Sequence, residues 1–111
     1  MKTFTINNKR YNSKKFGMNL VCDISEMGIN MDETDRKALP LLRAYFALCA
    51  ERDVVFAGEE IEKHILFGGN LDELTDVMAE EMENSDFFRA LNKETEEINT
   101  ENAAEKKTKK N

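Results

Sequence analysis

The chain has 111 residues, 41% of them hydrophobic and 34% charged, with a formal net charge of −6. That size suits one domain with a modest core, and that balance speaks against a disordered chain. No apolar run approaches the roughly 18 residues that cross a bilayer, and the start, Met1-Lys-Thr-Phe-Thr-Ile-Asn-Asn, turns polar too early for a signal peptide, so a cytosolic protein is expected.

Charge is unevenly placed. Residues 1–17 hold five basic and no acidic side chains, residues 18–91 hold 6 basic and 17 acidic ones, and residues 92–111 hold five of each. Such an acidic body repels nucleic-acid phosphates and anionic membranes alike.

In chain order, Thr3-Phe-Thr-Ile favours extended structure and Asn7-Asn8 can turn, which predicts a hairpin returning through Arg10-Tyr11. Because a lone hairpin is marginal in water, Phe4, Ile6, Tyr11 and Phe16 are its expected contacts to helices. Asn19 is the expected cap of a first helix carrying Leu20, Ile24 and Met27 on one face, with Gly28 as its left-handed stop and Ile29 folding back. Residues 30–37 read as a polar loop. Leu39 to Ala50 is almost wholly apolar, with Pro40 tolerable in a first turn, and predicts the most buried helix.

A third helix is expected over about Val54 to Phe67, with Val54, Ala57, Ile61 and Ile65 inward and Gly68-Gly69 ending it. Asn70 then caps a fourth, where Glu73 completes a variant capping box. Leu71, Leu74, Met78 and Met82 form its apolar stripe; Asp72, Asp76, Glu80 and Glu83 lie on the other face. Ser85 or Asp86 caps a short last helix with Phe87, Phe88 and Leu91. Beyond about Asn92 the chain holds little apolar but Ile98 and two alanines, so residues 92–111 read as a frayed or disordered lysine- and glutamate-rich tail on a globular domain of residues 1–91. The fold class is mainly α (α+β): a small N-terminal β-hairpin on a bundle of four to five short helices.

Catalytic chemistry finds little support. His64 with Glu60 four residues earlier is half a metal site at most, and structural sites want four ligands. Asp32-Glu-Thr-Asp and Asp72-Glu-Leu-Thr-Asp lack the glycine and glutamate of a calcium loop and read as helix starts. Cys22 and Cys49 read as buried thiols, with no spacing that favours a disulfide or metal pair. No catalytic, cofactor-binding or metal-binding residue is therefore assigned, and an enzyme is not expected. Adaptable apolar contacts are the alternative. Methionine suits surfaces that accept varied apolar partners, and Phe87 and Phe88, about 100° apart on a helix, do not face one core equally. Leu74, Met78, Met82, Phe87 and Phe88 are the partner-binding candidates.

Several segments, taken in order, resemble the small tail assembly chaperones of long-tailed phages and prophages of Gram-positive bacteria. These are Phe4-Thr-Ile-Asn-Asn-Lys-Arg-Tyr, Asn19-Leu-Val-Cys-Asp-Ile-Ser-Glu-Met-Gly-Ile, Arg43-Ala-Tyr-Phe-Ala-Leu-Cys, Ala57-Gly-Glu-Glu-Ile-Glu-Lys-His-Ile-Leu-Phe-Gly-Gly-Asn, and Glu81 to Leu91, ending Phe87-Phe-Arg-Ala-Leu. The resemblance implies binding to the helical tape measure protein, which is kept soluble, and recruitment of tail tube protein around it. It implies action in the host cytoplasm, absence from the mature virion and no cofactor; self-association is compatible with it. Many such proteins are also made in a longer, frameshifted form, for which adenine-rich codons at Lys106-Lys107 and Lys109-Lys110 would be a slippery site. Two other readings stand beside this one: a small acidic regulatory or DNA-mimic protein, and a structural head-tail connector.

Overall fold

A computed structural model of the chain describes residues 2–30, 35 and 37–91. Two strands, β1 (Thr3–Ile6) and β2 (Lys9–Asn12), are followed by four helices, α1 (Met18–Glu26), α2 (Leu39–Ala50), α3 (Val54–Leu66) and α4 (Asp72–Glu83). A fifth, α5, occupies residues 86–91 at the end of the described chain. The predicted class, mainly helical with an N-terminal antiparallel hairpin, is the one observed; the tail of residues 92–111 and part of the 30–37 loop lie outside the described residues.

The hairpin is set by its turn. Asn7 and Asn8 have φ of 52° and 65°, the paired positive values of a two-residue turn whose twist matches the strands, and asparagine tolerates them better than most residues. Ile6 therefore faces Lys9, Thr5 faces Arg10, Phe4 faces Tyr11 and Thr3 faces Asn12.

The inner face of this ribbon carries aromatic rings onto α2. Phe4 stacks on Tyr11 across the strands at 5.8 Å between centroids, and both meet Phe46 edge-on, at 5.9 Å and 4.9 Å. Such geometries favour aromatic quadrupoles beyond the area they bury. Leu41, Leu42, Ala44, Tyr45, Phe46 and Ala47 are all buried, so α2 is surrounded on most sides, as its composition predicts. Pro40 sits in its first turn. Leu20 and Ile24 of α1, Ala57 and Ile61 of α3, and Leu74, Val77, Met78 and Met82 of α4 complete one apolar cluster.

Helix ends follow local chemistry, with corrections. Gly28 takes φ +87° and stops the first helix as expected. Asn19 is not its cap: α1 starts one residue earlier, after Gly17, and Met27 is exposed. Asp53 caps α3 by accepting the Phe56 N–H at 2.8 Å, which separates it from α2. Ser85 caps α5, accepting the Phe88 N–H at 3.0 Å while donating to the Phe16 carbonyl at 2.6 Å. Glu73 does not close a capping box. It turns away from its own helix and accepts the Thr5 N–H of β1 at 2.8 Å.

That contact is one of two that side chains of α3 and α4 make along the outer edge of the hairpin on the β1 side. The other comes from His64, whose Nδ1 accepts the Asn7 N–H at 2.9 Å, while Nε2 lies 2.9 Å from the Asn70 carbonyl. A ring that accepts at Nδ1 and faces a carbonyl at Nε2 is the neutral Nε2–H tautomer, donating to Asn70. Gly69 makes room for it: a Cβ there would stand 2.5 Å from Nε2.

Two predictions follow from this packing. Phe46→Ala should lower stability by about 3–5 kcal/mol in urea melts, the range for a buried aromatic that leaves a cavity. Nitrogen-15 spectra at neutral pH should report Nδ1 of His64 unprotonated and Nε2 protonated; the reverse assignment would break the hairpin contact described above.

Candidate functional site

The carboxylates of α4 do much of the work of docking the hairpin. Besides Glu73, Glu80 pairs with Lys2 at 3.0 Å and Glu81 accepts the Ser13 hydroxyl. Glu60 of α3, itself buried, receives Lys9 at 3.6 Å, Lys63 at 3.9 Å and the Asn7 side-chain amide at 3.3 Å. Lys14 reaches Glu51 at 3.5 Å. The basic opening and acidic body are thus partly one set of internal contacts.

Tyr45 fixes the connector between β2 and α1. Its hydroxyl donates to the Lys14 carbonyl at 2.9 Å and accepts the Lys14 N–H at 3.0 Å, and its ring stacks on Phe16 at 5.3 Å. Burial, then the charge of neighbouring Cys49, raises the Tyr45 phenol well above its usual value. Burial likewise pushes the Cys49 thiol up to about 11, against opposing hydrogen bonds from Tyr45 and the Lys14 backbone. A thiol so raised carries little thiolate, the reactive form, at neutral pH.

The five residues predicted to bind a partner do not form one surface. Leu74, Met78 and Met82 are buried, Met78 to 0% exposure, because the only apolar stripe of α4 is the one it needs against β1 and α2. They are core, not a docking face. Phe88 turns inward, its ring 5.5 Å from that of Phe16 and edge-on to it, whereas Phe87 remains 38% exposed. The 100° separation of adjacent positions explains the split.

Exposed apolar surface lies elsewhere. A groove of about 390 Å³ runs between the start of α2 and the second half of α3, lined by Leu39, Pro40, Arg43, Gly58, Ile61, Glu62, Ile65 and Leu66. Leu39 is 59% and Leu66 74% exposed, and Phe67, next along the chain, is 86% exposed. From Gly58 to Leu66 the α3 wall rises about 12 Å, enough for two turns of a partner helix. Arg43 and Glu62 stand at the groove, and among the described residues neither has an ion-pair partner.

Sequence reasoning missed this groove because it assigned Ile65 inward and treated the helix end as punctuation. The signal was present: Ile65, Leu66 and Phe67 are consecutive, so one core cannot cover all three. Among the described residues no three His, Cys, Asp or Glu side chains group to hold a metal, and no helix is long and apolar enough to cross a membrane. Compared with known protein families, curated proteins and solved structures, the chain matches none of them.

The two thiols provide a test of this layout. Cys22 is exposed, so a disulfide-exchange reagent at pH 8 should modify it within minutes, while the half-buried Cys49, its thiol pushed up to about 11, should react at least tenfold more slowly. With the folded Cys49 value raised, its contribution to stability is present below the ordinary thiol value and lost as pH rises through about 11, so alkaline melts should weaken over that interval.

Proposed function

We infer that the chain is a non-enzymatic chaperone of phage tail assembly that binds a long helical partner of the tape measure kind. The observation that carries this reading is the open apolar groove between α2 and α3. Its lining sets exposed Leu39, Ile65 and Leu66 beside buried Ile61, an apolar wall of the kind that takes the apolar face of an amphipathic helix. The exposed Leu39, Ile65, Leu66 and Phe67 at one end of the α2/α3 pair support that reading.

The ordered resemblance to tail assembly chaperones supplies the identity of the partner, and the groove supplies a physical means. The net charge of −6 would keep the coated partner from aggregating. In this reading the protein works in the bacterial host cytoplasm, helps recruit tail tube subunits, and leaves before the particle is complete.

Co-expression with the open reading frame immediately downstream, followed by pull-down, tests the proposal. The wild-type chain should retain a long helical protein in the soluble fraction. Leu66→Asp, which alters an exposed position, should leave the melting transition unchanged and reduce recovery at least tenfold, since it removes a leucine worth about 1.5–3 kcal/mol of burial. Equal recovery with both chains would overturn the assignment of the groove. No soluble long partner with either would overturn the function.

A further inference from the structure

The hairpin has two outer edges, and side chains of α3 and α4 reach only one of them. In an antiparallel ribbon, facing pairs alternate between those that exchange backbone hydrogen bonds and those whose N–H and C=O groups point away from each other. The Thr5 N–H reaches Glu73, so Thr5 and its facing residue Arg10 form an outward-pointing pair. The Ser13 N–H bonds the Lys2 carbonyl at 2.7 Å, which sets the same alternation from the other end and makes Thr3 and Asn12 the second outward pair. On the β1 side α3 and α4 lie against the ribbon and meet the outward N–H groups of Asn7 and Thr5 through His64 and Glu73. On the β2 side, the backbone N–H and C=O groups of Arg10 and Asn12 point away from the ribbon and have no partner among the described residues. Both residues are exposed.

We propose that the outer edge of β2 accepts an extended acidic segment of another protein as a third strand, through the backbone of Arg10 and Asn12 and the charge of Arg10. The spacing of two residues between these groups is that of a strand. Charge selects the occupant. Lys9 and Lys14 are held by Glu60 and Glu51, but Arg10 and Lys15 have no ion-pair partner among the described residues. A second copy is the wrong occupant, because pairing two β2 edges would crowd Lys9, Arg10, Lys14 and Lys15 of both chains together. A strand with carboxylates on the Arg10 face and apolar side chains on the Tyr11 face complements both sides of β2. This edge is separate from the α2/α3 groove, so the proposal does not depend on the chaperone reading.

The experiment uses the full chain labelled with nitrogen-15 and a capped octapeptide of alternating valine and glutamate as the probe. At millimolar peptide, amide exchange at Arg10 and Asn12 should slow at least fivefold, with the largest shift changes along β2. The same peptide N-methylated at alternate residues, or carrying lysine for glutamate, should have no such effect. Asn12→Pro removes an outward N–H without touching the bonds to β1, and should weaken binding roughly fivefold to tenfold, the effect of one net hydrogen bond. Arg10→Glu tests the charge without a proline and should abolish binding of the glutamate peptide. Unchanged exchange at both amides, equal response to the lysine peptide, or protection that rises with protein concentration alone would each overturn the proposal.

Discussion

A two-stranded ribbon cannot bury its own inner face or satisfy its own outer edges, and the rest of this fold is organised around covering that face and reaching one of those edges. Phe4 and Tyr11 rest on Phe46, so the most apolar helix is placed directly against the strands. At the edge of β1, the Thr5 and Asn7 N–H groups are then met by a glutamate from α4 and a neutral imidazole from α3. These contacts span more than fifty residues of sequence, so the hairpin is held by the end of the domain as much as by its neighbours in the chain.

The same arrangement accounts for the division of charge along the chain. Ion pairs from Lys2 and Lys9 to glutamates of α4 and α3, and from Lys14 to Glu51 just past α2, join a basic ribbon to an acidic bundle. Exposed pairs of this kind each contribute roughly 0–1 kcal/mol, so they orient the hairpin more than they stabilise it. Glu60 differs, because it is buried, and its carboxylate is matched by two lysines and an amide. The acidic surface of α4 is consequently not a free display of negative charge.

Packing the hairpin on α2 and α4 also decides what is left uncovered. The first turn of α2 and the second half of α3 keep apolar residues exposed, and these meet across an open groove. Core formation and the candidate binding surface are two outcomes of one distribution of apolar residues. The methionines of α4 went inward, and the aliphatic residues at the end of α3 stayed out.

Local features were legible in the sequence because each depends on neighbours only. The Asn7-Asn8 turn, the proline at the start of α2, the Gly28 stop and the Ser85 cap each follow from conformational freedom or a side-chain oxygen close at hand. The periodicity of α4 likewise predicted that Leu74, Met78 and Met82 share a face. What periodicity does not contain is the identity of the element that covers a face. Whether that stripe met β1 and α2 or a partner, whether Glu73 reached back to its own cap or across to Thr5, and whether Ile65 and Leu66 were covered were decided by tertiary packing. The physical reason is that burial is a property of two surfaces brought together, and a single segment of sequence specifies only one of them.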